Sequence, residues 1–289
     1  MEPLFFIGVI ICGFGIGTLS GMFGIGGGAL IVPLLYIVFG VRPIVFTTAT
    51  SLFTIAPTGI SGAIKHYFQK TASLKAGFTI GCFGAIASIA GSLLSARLPS
   101  SVTIALTGIV ILFSVFMMLR TLRIDKTLDA VASPQSELEA VASPQSELEA
   151  EEIADLTLSQ EDAEDSVDSP LLYLMIIGLI AGGVAGIVGV GGGFIIVPFC
   201  VAYLGFSLKK ASGTSLVSIA LIAIPGIISH AFLGHIEWLY GVAIIIGTIP
   251  GAQLGSWLIN KLPERPMRYA FAGLLTAIGV LMILQEFYL

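Results

Sequence analysis

Long apolar runs separated by short polar stretches make up most of the chain. Six of these runs have about the 20 mostly apolar residues that one bilayer-spanning helix needs. They are residues 44–64, 76–96, 101–119, 211–233, 239–259 and 267–286. The pattern predicts an all-α polytopic membrane protein.

Two further apolar segments, residues 4–40 and 170–206, are each too long for one span. Residues 24–28 and residues 189–193, inside these segments, each contain four glycines. Glycine resists helical order, so each segment is predicted to be a helical hairpin with its glycine cluster at the tip. The second arm of the first hairpin, about residues 29–40, is short for a full span and favours a hairpin of partial depth.

The two parts of the chain are copies of one unit. The segment GTLSGMFGIGGGALIVP, which starts at Gly17, matches GGVAGIVGVGGGFIIVP, which starts at Gly182. After a shift of one residue, the match continues from Thr50-Ser51 to Thr214-Ser215, from His66 to His230 and from Leu98-Pro99 to Leu262-Pro263. We predict a first membrane repeat over residues 1–126 and a second over residues 170–289.

Residues 127–169 have a different composition. They hold thirteen Asp or Glu and no Lys or Arg, and Val131–Ala140 recurs unchanged as Val141–Ala150. Such a stretch cannot bury enough apolar surface to fold, so a disordered linker is predicted. The net charge of −5 therefore describes the linker. The whole chain is 56% apolar and 11% charged, against about 25% charged in soluble domains.

The distribution of Lys and Arg predicts how the repeats are oriented. If residues 4–40 form one bent span, the thirteen basic residues divide six to seven between the two sides. If they form a hairpin, the second repeat is inverted and only Arg42 and Arg97 lie on the side opposite the other eleven. We therefore predict inverted-topology repeats in a cell inner membrane, with a cytoplasmic linker and both termini outside.

The glycine clusters are the first candidate binding elements. Broken helices that meet at a repeat interface are typical of transporters, and free N–H groups at a break bind anions. The predicted substrate-binding residues are Gly24, Gly26, Gly27, Gly28, Gly189, Gly191, Gly192 and Gly193, with hydroxyl donors from Thr50, Ser51, Thr214 and Ser215. The alternative is that these glycines only pack helices and that the hydroxyls cap or bond their own helix. Close packing is the interpretation for Gly13, Gly17, Gly21, Gly178, Gly182 and Gly186, which are spaced by four.

His66 and His230 lie near span ends at equivalent positions and are candidate gate residues, with interfacial packing as the alternative. The middle of the predicted spans contains no Asp, Glu, Lys or Arg, so a carboxylate proton relay is not expected. Cys12, Cys82 and Cys200 have no metal or redox spacing. We expect no metal, no cofactor, no catalysis and no nucleic acid; the expected partners are a small anion and the lipid bilayer, and the oligomeric state stays open.

Three other interpretations are weaker. Gly24 to Ala29 loosely fits a dinucleotide-binding motif, but no strand precedes it. Ser61 within Gly59-Ile-Ser61-Gly62, with His230 as a base, would fit an intramembrane serine protease, but the second copy has Pro225 at the serine position. A membrane scaffold or assembly factor without transport is the remaining alternative.

The duplicated G-x-G-G-G…V-P motif, each copy followed by T-S-L, resembles the TauE/SafE family of sulfite exporter-like permeases. The resemblance covers both repeats and excludes the linker. It implies a multi-span inner-membrane permease for sulfite, an organosulfonate or a related sulfur-containing anion. By position in the motif, it also marks the eight clustered glycines together with Pro33 and Pro198.

Overall fold

The computed structural model describes residues 3–41, 43–95, 97–99, 102–103, 106, 108–120 and 171–288. Secondary structure in these residues is helical throughout. The first part contains α1 (Pro3–Phe23), α2 (Gly28–Pro33), α3 (Ile44–Phe68), α4 (Leu74–Ser95) and α5 (Gly108–Arg120). The second contains α6 (Leu171–Val188), α7 (Gly193–Leu204), α8 (Leu208–Phe232), α9 (Trp238–Leu258) and α10 (Glu264–Tyr288). The predicted all-α architecture is confirmed, whereas the predicted linker, residues 127–169, lies outside the described residues.

The two halves repeat the same order of helices. α3 and α8 are both 25 residues long. Each also contains a proline, Pro57 or Pro225, although these two prolines are not at equivalent positions of the repeat. One difference follows the proline of the motif. After Pro33 the chain continues as a π-helical segment, Leu34–Val38, whereas α7 stays α-helical through Pro198 to Leu204. Proline cannot donate a helical hydrogen bond, and the widened turn is one way to accommodate it.

Among the described residues, five helices are long and apolar enough to cross a membrane. These are Phe6–Phe23, Leu74–Ser95, Leu171–Val188, Leu208–Phe232 and Trp238–Lys261. α3 and α10, which are outside this set, each extend about 37 Å at 1.5 Å per residue. The chain is therefore a multi-pass membrane protein.

The side chains are distributed as a lipid environment requires. Large apolar side chains such as Ile86, Leu93 and Phe116 point outward, with 64%, 58% and 63% of their surface exposed. Many hydroxyl side chains are instead fully buried, among them Thr50, Ser51 and their counterparts in the second half. Lipid tails cover apolar surface without penalty but cannot satisfy hydroxyl groups, so polar groups are placed inside the helix bundle.

Two pairs of helices pack closely along ladders of small residues. A Cβ atom added to Gly13 of α1 would lie 2.8 Å from the carbonyl oxygen of Ile244 in α9. Along the ladder, Gly17 meets Thr248 and Gly21 meets Ala252. Gly178, Gly182 and Gly186 of α6 meet Ile80, Gly84 and Ser88 of α4 in the same manner. The close packing predicted for these six glycines is confirmed, and in both pairs the residue numbers rise together, so the paired helices run parallel.

The equivalent helices α3 and α8 pack against each other in opposite directions. A Cβ on Gly62 of α3 would meet Leu216 near the start of α8 at 2.8 Å. A Cβ on Gly226, near the end of α8, would meet Leu52 near the start of α3 at 2.9 Å. This antiparallel contact is the relation that an inverted repeat requires. The orientation of each half in the bilayer stays a prediction.

The direction of the chain through the first half follows from these contacts. α3 runs parallel to α9, because Phe53 lies beside Gly241 and Thr58 bonds Thr248 further along both helices. α1 also runs parallel to α9, so α1 and α3 point the same way. The segment between them, α2 and its π-helical continuation, must therefore carry the chain back. The structure thus contains the return arm that the hairpin prediction requires.

Candidate functional site

The helix breaks lie at the predicted glycines, and their backbone conformation explains the residue type. Three glycines in each break have φ between +70° and +83°, a region that other L-residues rarely adopt. They are Gly24, Gly26 and Gly27 in the first break and Gly189, Gly191 and Gly192 in the second. Each break ends where Gly27 or Gly192 becomes the N-cap of the following helix, α2 or α7.

The remaining two glycines, Gly28 and Gly193, bring the breaks into contact. A Cβ on Gly28 would lie 2.6 Å from the carbonyl oxygen of Val190 in the second break. A Cβ on Gly193 would lie 2.9 Å from the Cα of Ile25 in the first break. The start of each short helix therefore rests on the opposite break, with no room for a side chain between them.

Ser51 and Ser215 connect each break to the other half. The Ser51 hydroxyl donates a 2.9 Å hydrogen bond to the carbonyl oxygen of Gly189, and Ser215 donates a 2.8 Å bond to that of Gly24. Both serines are fully buried. Their hydroxyl hydrogens are therefore directed at backbone carbonyls in this structure, and a direct bond to an anion would require one of them to turn.

Thr50 and Thr214 have a second kind of cross-half contact. The Thr50 hydroxyl accepts a 3.0 Å hydrogen bond from the backbone N–H of Glu237, just before α9. The Thr214 hydroxyl accepts an equivalent 3.0 Å bond from the N–H of Ser73, just before α4. The capping alternative therefore describes their present contacts, except that each threonine caps a helix of the opposite half.

The amide groups at the tips of the breaks are the remaining donors. The first bonds of α2 run from the N–H groups of Leu30 and Ile31 to the Gly27 carbonyl; Ile195 and Ile196 bond Gly192 in the same way. In the described part of the chain, no hydrogen bond from the amides of residues 25–29 or 190–194 is found. These amides carry the partial positive charge of a helix start, which is the property that binds anions.

Two isoleucine side chains pack against Gly26 and Gly191, the middle glycines of the two breaks. Ile55 of α3 would contact a Cβ on Gly26 at 3.3 Å and a Cβ on Gly191 at 3.0 Å, and Ile219, its counterpart in α8, contacts the Gly26 position even more closely. Both side chains are fully buried. The structure therefore shows the glycine clusters covered by apolar side chains, and a ligand would reach them only after Ile55 or Ile219 moves.

Sequence reasoning missed two hydroxyls beside the first break. Ser20 and Ser212 are fully buried, and the oxygen of each has no hydrogen-bond partner. The Cα of Ser212 lies 2.6 Å from the position of a Cβ on Gly24, and Ser20 approaches that of Gly27. The available signal was position: Ser20 lies inside the repeated motif, and Ser212 lies two residues before Thr214.

The two candidate gate histidines are fully buried but have different partners. The Nε2 atom of His66 lies 3.0 Å from the carbonyl oxygen of Gly21, and its Nδ1 lies 2.8 Å from the Thr71 hydroxyl. The Nδ1 atom of His230 lies 3.4 Å from Nδ1 of His235, while its Nε2 has no partner. Both ring nitrogens of His66 therefore have a hydrogen-bond partner, whereas only Nδ1 of His230 has one.

Charged groups lie at the helix ends. In the described ranges, the fully buried polar residues are Ser, Thr and His, with no Asp, Glu, Lys or Arg. Glu264 accepts hydrogen bonds from the Leu208 N–H at 2.8 Å and from Arg268 at 2.6 Å. Within the same ranges, no group of three or more His, Cys, Asp or Glu is arranged to hold a metal ion.

The serine that would serve a protease is engaged elsewhere. The Ser61 hydroxyl donates to the carbonyl oxygen of Ile249 at 3.0 Å and lies 3.1 Å from the Gln253 side-chain nitrogen. Leu216 of α8 packs beside this part of α3. His230 lies fourteen residues further along α8, about 21 Å at 1.5 Å per residue. The structure does not bring Ser61 and His230 together.

Known proteins resemble this chain over nearly its whole length. The family model described as "Sulfite exporter TauE/SafE" matches residues 9–282. A probable membrane transporter protein of Bacillus subtilis, YdhB, is 26% identical over 262 residues, which cover 91% of this chain and 94% of YdhB. A second from the same organism, YunE, is 26% identical over 295 residues, covering 98% of this chain and 99% of YunE.

A third relative comes from a different organism. The probable membrane transporter protein MJ0441 of Methanocaldococcus jannaschii is 26% identical over 293 residues, covering 96% of this chain and 94% of its own length. No solved structure matches the chain. The matches therefore extend across both halves, including both helix breaks.

Proposed function

The chain belongs to the TauE/SafE family of membrane transporters, and on that premise we propose that it exports a small anion across the cell inner membrane. The substrate class is sulfite, an organosulfonate or a related sulfur-containing oxyanion. The anion crosses by alternating access at the interface of the two repeats.

The observation that carries this proposal is the contact between the two helix breaks. The helix starts at Gly28 and Gly193 each face the opposite break, inside a body whose described buried residues carry no acidic or basic side chain except histidine. Backbone N–H groups and the positive ends of two helices are then the principal attraction for negative charge. Such donors favour compact oxyanions, because glycine lets the anion approach the backbone closely.

Ile55 and Ile219 cover the glycine clusters, as expected for a transporter in a conformation that is open to neither side of the membrane. Ile55 and Ile219 lie on α3 and α8, the two antiparallel central helices, which also carry Ser51 and Ser215. A tilt of α3 relative to the second break would withdraw Ile55 and strain the Ser51 bond, and the equivalent tilt of α8 would act on the first break. Two equivalent movements from opposite sides are what alternating access needs.

The membrane potential supplies a driving force for export. An inside-negative potential favours the exit of a monovalent anion by about 2.3 kcal/mol per 100 mV, roughly fifty-fold in concentration. A buried carboxylate for proton coupling is not required by this scheme. Potential-driven efflux of the anion alone is the mechanism that we propose.

Purified protein in liposomes loaded with sulfite, sulfate, thiosulfate, sulfoacetate, taurine or a short carboxylate tests the proposal. We expect efflux of at least one sulfur oxyanion, and a loss of its affinity in Gly27→Ala and Gly192→Ala. Gly205→Ala is the control, because Gly205 has a similar φ of +66° but no atom within 4 Å of an added Cβ. Folded protein that releases none of these anions would overturn the proposal, and glycine variants with full affinity would leave the clusters a packing role.

A further inference from the structure

Three buried polar atoms without hydrogen-bond partners lie on α4 and α8, two helices that pack against each other. They are the hydroxyl oxygens of Ser88 and Ser92 in α4 and the Nε2 atom of His230 in α8. At most 1% of the surface of each residue is exposed. A buried polar atom with no hydrogen bond is destabilising, so a cluster of three calls for an occupant.

Gly226 shows that the two serine oxygens face the same point of α8. A Cβ added to Gly226 of α8 would lie 3.3 Å from the Ser92 oxygen and 3.6 Å from the Ser88 oxygen. His230 is one helical turn after Gly226 and shares its face of α8. Side chains on a helix lean toward its N-terminus, which for His230 is the direction of Gly226 and its two serine contacts.

At the equivalent place, around His66, the corresponding groups have their hydrogen-bond partners. There the His66 Nε2 lies 3.0 Å from the Gly21 carbonyl oxygen, and the Ser256 hydroxyl donates to the same oxygen at 3.3 Å. Ser256 is the counterpart of Ser92 by the repeat offset. Ser88 has no polar counterpart, since Ala252 occupies that position. The place around His230 thus has one more hydroxyl, and none of these three polar atoms makes a hydrogen bond.

All three groups can act as donors. Serine hydroxyls donate one hydrogen each. The histidine can do so as well: if His235 donates from its Nδ1 to the His230 Nδ1 at 3.4 Å, the proton of His230 is on Nε2. Donors that converge without an acceptor match a ligand that offers only acceptors.

The cluster also lies beside the second break. A Cβ on Gly186 of α6 would lie 2.9 Å from the backbone nitrogen of Ser92 and 3.0 Å from the Cα of Gly91. Gly189, the first glycine of the break, follows three residues later. Ser92 therefore lies within about one helical turn of the second break.

We propose that Ser88, Ser92 and His230 form a second oxyanion subsite on the transport path, one turn from the Gly189–Gly193 break. It binds the sulfite or sulfonate oxygens through three side-chain donors, in contrast to the backbone donors of the breaks. This subsite rests on the proposed function for its ligand, but it assigns binding to residues that the glycine motif does not include.

The test measures sulfite binding to purified full-length protein and sulfite efflux from liposomes as separate readouts. We expect Ser88→Ala/Ser92→Ala to lose about tenfold or more in sulfite affinity, since bonds to a charged ligand are lost. Its thermal stability without sulfite should be unchanged or higher, because two unpartnered groups are removed. His230→Phe should also lose affinity, and His230→Gln, which keeps a donor, should recover part of it.

Ser256→Ala is the matched control. It removes the hydroxyl that is already bonded inside the protein, so it should lower stability and leave sulfite affinity unchanged. Unaltered affinity in the Ser88/Ser92 double variant, or no sulfite binding by the unmodified protein, overturns the subsite whatever the efflux shows. Absent efflux together with binding that depends on Ser88 and Ser92 overturns the proposed transport and leaves the subsite standing.

Discussion

The hydroxyl of Ser51 donates its hydrogen bond to the carbonyl of Gly189, which belongs to the other half of the molecule. Ser215 makes the reciprocal bond to Gly24. Each break is thus stabilised by a helix of the opposite repeat. The two halves share one central structure, and a change at either serine affects the break of the other half.

The first prediction concerns these bonds. Ser51→Ala and Ser215→Ala should each lower the free energy of unfolding by about 1–3 kcal/mol, because a buried carbonyl loses its partner. Thermal unfolding in detergent measures this. Ser229→Ala is the control, because it removes a hydrogen bond only to Pro225 in its own helix. It should lower the free energy of unfolding by a smaller amount. Equal melting temperatures for all three variants would contradict the reciprocal arrangement.

The second prediction concerns the contact between the breaks. Gly193→Ala should prevent correct assembly, because the new Cβ would lie 2.9 Å from the Ile25 Cα and against the Gly24 carbonyl. Gly183→Ala in α6 is the control: an added Cβ there meets nothing within 4 Å. It should be neutral or stabilising by up to about 1 kcal/mol. Yield and monodispersity in size-exclusion chromatography distinguish the two, and normal yield for Gly193→Ala would contradict the observed contact.

The third prediction concerns the isoleucines above the glycines. Ile55→Val and Ile219→Val should cost about 0.5–1.5 kcal/mol in stability, yet raise the efflux rate per folded molecule, because the cover over Gly26 and Gly191 becomes smaller. Ile111→Val in α5 is a fully buried control of the same chemistry. This variant should lose a similar amount of stability without any increase in the efflux rate. A rate that falls in parallel with stability in all three variants would leave the isoleucines a packing role only.

The fourth prediction concerns orientation. Gln69 and Leu233 follow the equivalent helices α3 and α8, one in each half. In a background without Cys12, Cys82 and Cys200, an impermeant thiol reagent added to intact cells should label Leu233→Cys and spare Gln69→Cys. Ala140→Cys in the linker should be spared too. Labelling of both turn positions from the same side would mean that the halves are not inverted.

The fifth prediction concerns the driving force. In liposomes, an imposed inside-negative potential should increase the rate of sulfite efflux. For a monovalent anion, the concentration ratio that the potential supports at equilibrium is roughly fifty-fold per 100 mV. A proton gradient at zero potential should drive no sulfite transport, because the described buried residues include no carboxylate to carry the proton. Uptake driven by the proton gradient alone would contradict uncoupled export.

The helices and their breaks could be predicted from sequence because their causes are local. A run of about 20 apolar residues sets α4 or α9, and a cluster of glycines ends α1 or α6. The matching order of the two halves came from the repeat. The charge distribution predicts that the chain turns back between α1 and α3, because only then do the basic residues divide eleven to two; the inverted orientation itself stays a prediction.

The contacts of the site could not be predicted because their partners are distant in sequence. Ser51 was predicted to face an anion, and only the packing of α3 on the second break shows that it bonds Gly189. Ile55 looks like any other apolar residue of a span until its contacts with Gly26 and Gly191 are known. The difference between His66 and His230 is hidden in the same way, since the two positions match in sequence.

The pairing of α1 with α9 has a consequence for biosynthesis. α1 is synthesised before α9, and its glycine ladder can pack only when α9 has emerged from the ribosome. At roughly 5–20 residues per second, that delay is on the order of ten to forty seconds. During this interval the glycine face of α1 has no partner helix to pack against in the membrane. An insertase or chaperone that shields this face would therefore influence how much protein matures.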